Sequence, residues 1–431
     1  MRKFAIPKNP FLLFLPFLVF FIVLALILPT HGNASDENRY LMFAENLSHG
    51  FYSPPAPGVD LGTGPGYPFI IFPLVALSLP LVCITVLNAI LYYLSVVLLF
   101  KALEQIVSFK TALAFSLFWA FYYNSYENMP MILSETFASF LICFLIFTLA
   151  KAFNSNSQRK TKIYIFLSGL TIGYIVLTKV IFGYVLLVMF IASILLWVIN
   201  RRSGNYRKGL VILSIAFITT VPYLIYTYHL TSKIFYWSTF GGNNLYWMSS
   251  PYDEEYGSWI KYPMNSQTKD NYIQGGDSLI GLYHQKDFVE ASKYRGVEQD
   301  EALKRIAIEN IKSHPGKFIQ NCACNIGRLL FNYPYSYTAQ KPITLLRFPM
   351  TGIIAVLMLF CAIPTFKNWR KLPYTIRFLL FFVFLYLGGS IFGSAETRMF
   401  TIAVPALLFW IAFIITKTIK VNLNFKNEIV Q

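Results

Sequence analysis

The amino-acid sequence predicts an all-α polytopic membrane protein, and its composition, its apolar stretches and the placement of its basic residues lead to that class. Of 431 residues, 56% are hydrophobic and only 13% are charged. A soluble domain of this length carries more charge on its surface, so an integral membrane protein is expected. The net charge of +16 would suit a nucleic-acid partner, but its distribution along the chain favours a different explanation.

Ten mostly apolar stretches come close to the roughly 20 residues that cross the hydrocarbon core of a bilayer. They lie at 10–28, 81–100, 111–126, 131–150, 163–178, 180–199, 210–228, 343–364, 374–392 and 399–416. The sequence therefore predicts about ten transmembrane helices. The first stretch is predicted to be a retained anchor, because it is longer than the apolar core of a usual signal peptide and no small-residue cleavage site follows it.

Basic residues cluster in every second connection between these stretches. They include Lys101 and Lys110, Lys151 to Lys162, Arg201 to Lys208, Lys367 to Lys371, and both terminal segments. By the positive-inside rule, these connections and both termini face the cytoplasm. We therefore expect a protein of the inner (plasma) membrane with residues 29–80 and 229–342 on the external face, and no nucleic-acid partner.

The sequence divides into three predicted parts. Residues 1–228 form a transmembrane catalytic module with the external loop 29–80, residues 229–342 a small external α-rich domain, and residues 343–431 the last transmembrane helices and a cytoplasmic tail. Residues 36–48 and 317–331 are predicted to be helices that lie on the membrane surface. Residues 66–79 are too short to cross, and Pro68 and Pro73 are expected to break a helix there.

The external connections are predicted to be helical only in part. Residues 300–331 read as helix, with His314-Pro315-Gly316 ending one helix and starting another. The stretch 237–247 is rich in turn-forming and aromatic residues, and its aromatic side chains are expected to lie at the membrane interface.

The residues that point to chemistry begin with Asp36-Glu37-x-Arg39-Tyr40, directly after the first apolar stretch. This cluster resembles the D-E-x-R-Y motif of GT-C glycosyltransferases that use polyprenyl-phosphate-linked sugars, the group with protein O-mannosyltransferases and lipid A aminoarabinose transferases. Further matches follow in chain order: Gly64-Pro65-Gly66-Tyr67-Pro68, Ser134-Glu135, Thr178-Lys179, Ser238-Thr239 with Gly241-Gly242, His314 to Phe318, and Glu396-x-Arg398. The lysine that aminoarabinose transferases have before the first loop's proline is replaced here by Gly64.

The resemblance implies catalytic and substrate-binding roles for eight residues. Asp36, Glu37 and Glu135 are the candidate catalytic acids, and Arg39, Tyr40, Lys179, Glu396 and Arg398 are the candidate substrate-binding residues. Asp36 would accept the proton of the acceptor hydroxyl, and Glu37 would orient the acceptor or Asp36. A carboxylate near the bilayer is partly desolvated, so we expect the pKa of Asp36 to be raised. Three cations, Arg39, Lys179 and Arg398, would stabilise the leaving phosphate.

The function implied is a membrane glycosyltransferase of hexosyl or pentosyl type in cell-envelope glycosylation. It would move one sugar, with inversion, from a polyprenyl phosphate to a lipid, protein or glycan acceptor on the external face. No soluble cofactor is expected, and the sequence supplies no clear ligand set for a divalent metal. Two other classes stay open: a flippase or transporter of lipid-linked sugars, and a glycan polymerase or ligase that uses diphosphate-linked donors.

Simpler interpretations of the same residues also stay open. Asp36 and Glu37 occupy the first turn of a predicted helix, where the helix dipole favours acids. Lys179 can reach the interface along its aliphatic chain without a functional role. Arg398 can pair locally with Glu396. A cation among apolar spans is nevertheless a candidate functional residue by default.

Overall fold

The chain is a bundle of long apolar helices joined by shorter helices. The computed structural model describes residues 9–28, 35–201, 203–260, 277–340, 342–393 and 395–418. Its α-helices are α1 (Pro10–Leu13), α2 (Leu15–Ile27), α3 (Ser35–Ser48), α4 (Gly66–Ala76), α5 (Val82–Leu103), α6 (Phe109–Ala120), α7 (Tyr123–Asn128), α8 (Ser134–Asn154), α9 (Gln158–Thr178), α10 (Ile181–Ile199), α11 (Gly204–Thr231), α12 (Gly241–Met248), α13 (Asp277–Ala291), α14 (Gly296–Ser313), α15 (Pro315–Phe331), α16 (Phe348–Lys367), α17 (Tyr374–Ile391) and α18 (Thr397–Phe413). The described residues contain no β-strand, so the predicted all-α polytopic fold is confirmed.

Within the described residues, eight helical segments are long and apolar enough to cross a membrane. They are α5, α8, α9, α10, α11, α17, α16 with the short 3₁₀-helix before it, and α18 with the π-helical turn after it. Two other predicted spans form shorter helices, since α2 has 13 residues and α6 has 12. The protein is therefore an integral membrane protein, and a count of ten spans stays a prediction.

The helices α8 and α18 occupy the centre of the bundle. In an apolar 18-residue stretch of each helix, 72% of the residues are buried in α8 and 78% in α18, compared with 17% in the segment that contains α16. The helix α8 packs on α5, α9 and α18, and α9 packs on α11. Because a lipid-facing helix keeps its apolar residues exposed, α16 is a peripheral helix. The two central helices carry Glu135 and Arg398 at their first turns, so the core of the bundle fixes these residues.

A second, smaller core lies among α12, α13 and α14, which we call the α12–α14 unit. Its core residues are Tyr246, Trp247, Phe288, Ala291, Leu303 and Ala307. The predicted change of helix at His314-Pro315-Gly316 is confirmed, because α14 ends at Ser313 and α15 begins at Pro315. Proline suits the first helical position, where its missing N–H would have no helical partner.

Two sequence-based expectations about local structure are wrong. Pro68 and Pro73 do not break a helix, because α4 runs through both of them. Pro68 lies in the first turn, where no backbone N–H is needed, so only Pro73 removes a hydrogen bond from the helix. The turn-rich stretch contains α12, and Trp237, Tyr246 and Trp247 are buried inside the protein. Packing among aromatic rings, which local sequence does not reveal, places them in the interior instead of at the membrane interface.

Candidate active site

The first turn of α3 brings Asp36 to the first turn of α18. Arg398 Nη1 donates to Asp36 Oδ2 at 2.8 Å, and Arg39 Nη1 lies 3.6 Å from Asp36 Oδ1. The Asp36–Arg39 contact spans one helical turn, as the sequence spacing predicts. The Asp36–Arg398 contact joins residues 362 positions apart. The helix dipole alone therefore does not account for the position of Asp36.

Arg398 is shared among three carboxylates. Its Nε donates to Glu396 Oε2 at 2.6 Å and lies 3.6 Å from Glu135 Oε1, while Nη1 holds Asp36. A planar guanidinium presents five N–H donors in a fixed arrangement, so one arginine can fix several acids at once. The local Glu396–Arg398 pair of the simpler interpretation is present, but it is one of three contacts.

Lys179 approaches the same carboxylates from the C-terminal end of α9. Its Nζ donates to Glu135 Oε1 at 2.8 Å, and the Glu135 side chain is buried. Lys179 follows the last residue of α9, where its cation also complements the negative end of the helix dipole. The lysine is therefore paired within the protein and does not simply extend to the membrane interface.

Two glycines of the first loop allow the loop to approach the end of α9 closely. A Cβ atom on Gly64 would lie 2.0 Å from the carbonyl oxygen of Leu177, and one on Gly66 would lie 2.4 Å from Thr178 Oγ1. No side chain fits at either position without a shift of the backbone. The two glycines therefore let the loop lie directly against the helix that ends beside Lys179.

Arg39 is the least tightly held cation of the cluster. Its Nε lies 3.8 Å from Asp60 Oδ2, and its guanidinium carbon lies 4.3 Å from the centre of the Phe240 ring. A guanidinium over an aromatic face gains a cation–π attraction without using its N–H donors. Arg39 therefore keeps donors for a ligand.

Tyr40 and Glu37 have different surroundings. The Tyr40 hydroxyl is 2.7 Å from Ser134 Oγ, and burial raises the pKa of this phenol. Tyr40 lines the cavity described below, whereas Glu37 is not among its lining residues in the described chain. The buried Glu37 carboxylate accepts the backbone N–H of Ile132 at 2.9 Å. This contact ties α3 to the segment before α8.

The cluster opens into a cavity of about 830 Å³ at one end of the bundle. Asp36, Arg39, Lys179, Glu396 and Arg398 all contribute to its walls. Apolar residues also line the cavity, namely Met131, Leu133, Val180, Phe240 and Met399. Cavities of this size hold ligands as large as a small drug or a short sugar chain.

The charges of the cluster lower the pKa of Asp36, contrary to the sequence-based expectation. Burial disfavours the ionised form, but Arg398, Lys179 and Arg39 together outweigh this effect and hold the pKa below its usual value. The expectation considered desolvation alone, because the sequence did not reveal how near the three cations would lie. Asp36 is therefore a carboxylate at neutral pH.

The sequence patterns did not identify several residues of the site. Asp60 and Phe240 flank Arg39, and a further ion pair, Arg347 Nε to Glu127 Oε2 at 2.7 Å, lines the cavity from α7 and the segment before α16. Phe240 lies inside the matched Ser238 to Gly242 loop, so a signal for it existed. Asp60, Glu127 and Arg347 carry no local pattern that distinguishes them from surface charges. Within the described part of the chain, no three His, Cys, Asp or Glu residues are arranged to hold a metal ion.

The helices and the cluster define a polytopic membrane protein with a charged cavity at one end of its bundle. No profile of a known protein family matches the sequence, and no curated protein matches it significantly. Among solved structures, ArnT from Cupriavidus metallidurans bound to undecaprenyl phosphate is similar over 93% of this chain and 77% of its own, with 12% identity and a TM-score of 0.43. AglB, the oligosaccharyltransferase of Archaeoglobus fulgidus, is similar in complex with an inhibitory peptide and a dolichol-phosphate. That likeness covers 93% of this chain and 50% of AglB, with 15% identity and a TM-score of 0.46. Both are GT-C glycosyltransferases, the class that the sequence motifs resemble.

Proposed function

We propose that this protein transfers one sugar from a polyprenyl-phosphate donor to an acceptor hydroxyl, with Asp36 as the base. The observation that carries the proposal is the meeting of Asp36 with Arg39, Lys179 and Arg398 at a cavity where the apolar helices end. A sugar on a polyprenyl phosphate has its reacting carbon at the level of the lipid headgroups. A transferase for it needs a base, cations for the phosphate and an apolar path for the lipid in one place.

In the proposed reaction the acceptor oxygen attacks the anomeric carbon as the bond from that carbon to the phosphate oxygen breaks. The electron pair of the broken bond stays on the phosphate, and the proton of the acceptor hydroxyl passes to the Asp36 carboxylate. Such a direct displacement inverts the anomeric centre. A positioned base contributes about 10²–10⁴-fold to a reaction of this kind.

The cations of the cluster retain donors for the phosphate. Lys179 uses one of its three N–H groups on Glu135, and the contacts of Arg39 with Asp36 and Asp60 are 3.6 and 3.8 Å long. Fixed positive charges stabilise the negative charge that develops on the leaving group, and they do so most strongly where water is excluded. Leu133, Val180 and Met399 offer apolar contact for the first carbons of the lipid.

We propose that Glu135, Glu396 and Glu37 act as positioning residues. The buried Glu135 holds Lys179, Glu396 holds Arg398, and Glu37 fixes α3 through Ile132. We further propose that the cavity faces the external side of the membrane. Lys101, Lys151 and Arg207 lie near the ends of α5, α8 and α11 that are remote from the cluster, and basic residues mark the cytoplasmic side.

Charge placement favours an enzyme over the competing transporter. Carriers typically have ionisable residues near the middle of the membrane. In the described spans, the Asp, Glu, Lys and Arg residues lie near the helix ends. A role as a glycan polymerase or ligase differs in its donor, a diphosphate, and is distinguished by the assay that follows.

The direct test is transfer by the purified protein in lipid nanodiscs. Wild-type protein is supplied with polyprenyl phosphates bearing different hexoses and pentoses, with the matching diphosphate donors, and with lipid, peptide and glycan acceptors. We expect release of free polyprenyl phosphate with at least one monophosphate donor. Release only from diphosphate donors would favour the polymerase or ligase, and no release from any donor would refute the proposal.

A further inference from the structure

One arginine in the cavity wall is paired with neither Asp36 nor Glu135, and it keeps most of its hydrogen-bond donors. Arg347 lines the cavity, its side chain is 20% exposed, and its Nε donates to Glu127 Oε2 at 2.7 Å. Among the described residues Glu127 is its only ion-pair partner, and neither Nη atom of Arg347 donates a hydrogen bond. All but one of the five N–H groups of a guanidinium are on the Nη atoms. Arg347 can therefore bind a ligand without leaving Glu127.

Glu127 holds Arg347 in place while leaving one edge of the guanidinium open. The pair joins α7 to the 3₁₀-helix Pro342–Arg347 that precedes α16. Arginine and a carboxylate often pair through two parallel N–H groups. Here the contact is made by Nε alone, so the edge formed by the two Nη atoms remains available. That edge can form a two-point contact with a phosphate or a carboxylate.

An amide with unused donors comes from the segment beside Arg347. The rings of Phe331 and Phe348 stack with their centres 4.9 Å apart. Asn332 and Arg347 are the next residues to these rings in the chain, and both line the cavity. Asn332 Oδ1 accepts from the Tyr335 hydroxyl at 2.7 Å, and within the described residues its amide nitrogen donates no hydrogen bond. Unused N–H donors on both residues suit an anion, because its oxygens only accept.

The donor's phosphate already has other cations to bind it. Under the proposed function, Arg39, Lys179 and Arg398 hold the leaving phosphate. A polyprenyl monophosphate brings one anionic group, so an anion bound at Arg347 belongs to the other substrate. That substrate is the acceptor.

We propose that Arg347 and Asn332 form a second anion subsite, which binds a phosphate or carboxylate group of the acceptor. This inference rests on the proposed function and adds the chemical class of the acceptor. The anionic group contacts Arg347 while an acceptor hydroxyl reaches Asp36, which lines the same cavity. A two-point contact with a guanidinium adds both affinity and geometric specificity, so an acceptor without an anionic group binds more weakly.

The test measures the binding of small soluble anions while the lipid site is filled. Wild-type protein in phosphatidylcholine nanodiscs is saturated with undecaprenyl phosphate, and saturation-transfer NMR follows the binding of glucose 1-phosphate, glucuronate and glucose. We expect both anions to bind about ten-fold more tightly than glucose, and Arg347→Met to abolish that preference without changing the affinity for undecaprenyl phosphate. Arg295 is exposed and lies outside the cavity wall, so Arg295→Met is the matched control and should keep the preference.

Glu127→Gln separates a binding role of Arg347 from a purely structural one. This variant removes a negative charge beside Arg347 but keeps an oxygen that can accept from Nε, so we expect it to bind the two anions more tightly than wild type. Arg347→Met, and the double variant Arg347→Met with Glu127→Gln that leaves no unpaired carboxylate, should both lose the preference. A pair that served only to join α7 to the 3₁₀-helix would not give opposite effects for the two single variants. Anion binding that changes in the same direction in both, or in neither, would overturn the inference.

Undecaprenyl diphosphate tests whether the second anion belongs to the donor instead. If Arg347 held a second phosphate of the donor, the diphosphate would displace glucose 1-phosphate and would bind wild type more tightly than Arg347→Met. That result, or equal binding of glucose and the two anions, would overturn the inference. Failure of wild-type protein to bind undecaprenyl phosphate would count against the proposed function instead, and the same variants would then be compared without lipid to test the subsite alone.

Discussion

Two polar networks of this protein use similar side chains in opposite ways. The Asp36 cluster consists of Asp36, Arg39, Asp60, Glu135, Lys179, Glu396 and Arg398. Its paired side chains other than Glu135 are 18–34% exposed, and they meet at a cavity. In the α12–α14 unit, His284 and Glu255 are only 2% and 1% exposed, and His284 Nε2 lies 2.8 Å from Glu255 Oε1. The Tyr246 hydroxyl contacts both His284 Nδ1 and Asp287, and Tyr337 donates to Glu255.

The two networks differ in how many of their hydrogen-bond donors are already engaged within the protein. The buried network joins α12, α13 and two loops through hydrogen bonds of 2.6–2.8 Å. In the Asp36 cluster, the contacts of Arg39 with Asp36 and Asp60 are 3.6 and 3.8 Å long, and Arg39 and Lys179 keep spare N–H donors. We infer that the first network stabilises the fold, whereas the second is kept for a ligand, and each prediction below tests one half of that contrast.

The largest expected effect is a loss of catalytic turnover when the Asp36 cluster loses its proposed base. Asp36→Asn removes the proton acceptor but preserves the shape of the side chain, so we expect turnover to fall by about 10²–10⁴-fold, with the thermal midpoint nearly unchanged. Release of polyprenyl phosphate measures the first quantity and thermal unfolding the second. The control is Glu45→Gln, an exposed acid on the same helix. Turnover of Asp36→Asn within a few-fold of wild type would remove Asp36 from the mechanism.

The next largest effect is a loss of stability when the buried network around His284 and Glu255 is broken. His284→Leu leaves the buried Glu255 carboxylate without its histidine donor, and a buried acceptor that loses its hydrogen-bond partner costs about 1–3 kcal/mol. We expect a lower thermal midpoint and faster proteolysis of the α12–α14 unit. The exposed His229 supplies the control, His229→Leu. If both histidine variants unfold like wild type, the network does not carry stability.

A smaller effect is expected on donor affinity. Arg39→Ala removes a cation with uncommitted donors, so affinity for undecaprenyl phosphate should fall about ten-fold, the worth of one good charge-assisted hydrogen bond. Lys233→Ala, which breaks the Lys233–Glu301 pair away from the cavity, is the control and should bind normally. Equal affinity in the two variants would show that Arg39 does not contact the phosphate.

The smallest effect is expected from pH. Because the neighbouring cations lower the pKa of Asp36 below its ordinary value of 3.8, the carboxylate stays ionised from neutral pH down to that range. The phosphodiester of the donor does not titrate there either. We therefore expect kcat/KM to change by less than about two-fold between pH 7 and pH 5.5. A loss of activity centred near pH 6 would mean that the base has a raised pKa.

The sequence predicted the helical membrane fold well because apolar length and helix-ending residues are local signals. The change of helix at His314-Pro315-Gly316 is one example. The passage of α4 through Pro73 and the burial of Trp247 were not predictable, since packing between distant segments decides both.

For the site, the motifs indicated which residues to compare, and the structure supplied their arrangement. Asp36 and Arg398 are 362 positions apart, and no pattern in the sequence measures the distance between them. Asp60 and Arg347 belong to no motif, so only the fold brings Asp60 to Arg39 and Arg347 to the cavity. The direction in which the pKa of Asp36 shifts depends on how close the three cations lie, and the sequence does not show that either.

The most direct test of the proposed cation cluster is the affinity for undecaprenyl phosphate of the double variant Lys179→Met with Glu135→Gln. This variant removes the ion pair without leaving an unpaired buried charge, and it keeps the net charge of the site. If Lys179 contacts the leaving phosphate, the double variant in nanodiscs binds undecaprenyl phosphate at least about ten-fold more weakly than wild type. Wild-type affinity in a folded double variant would contradict that role.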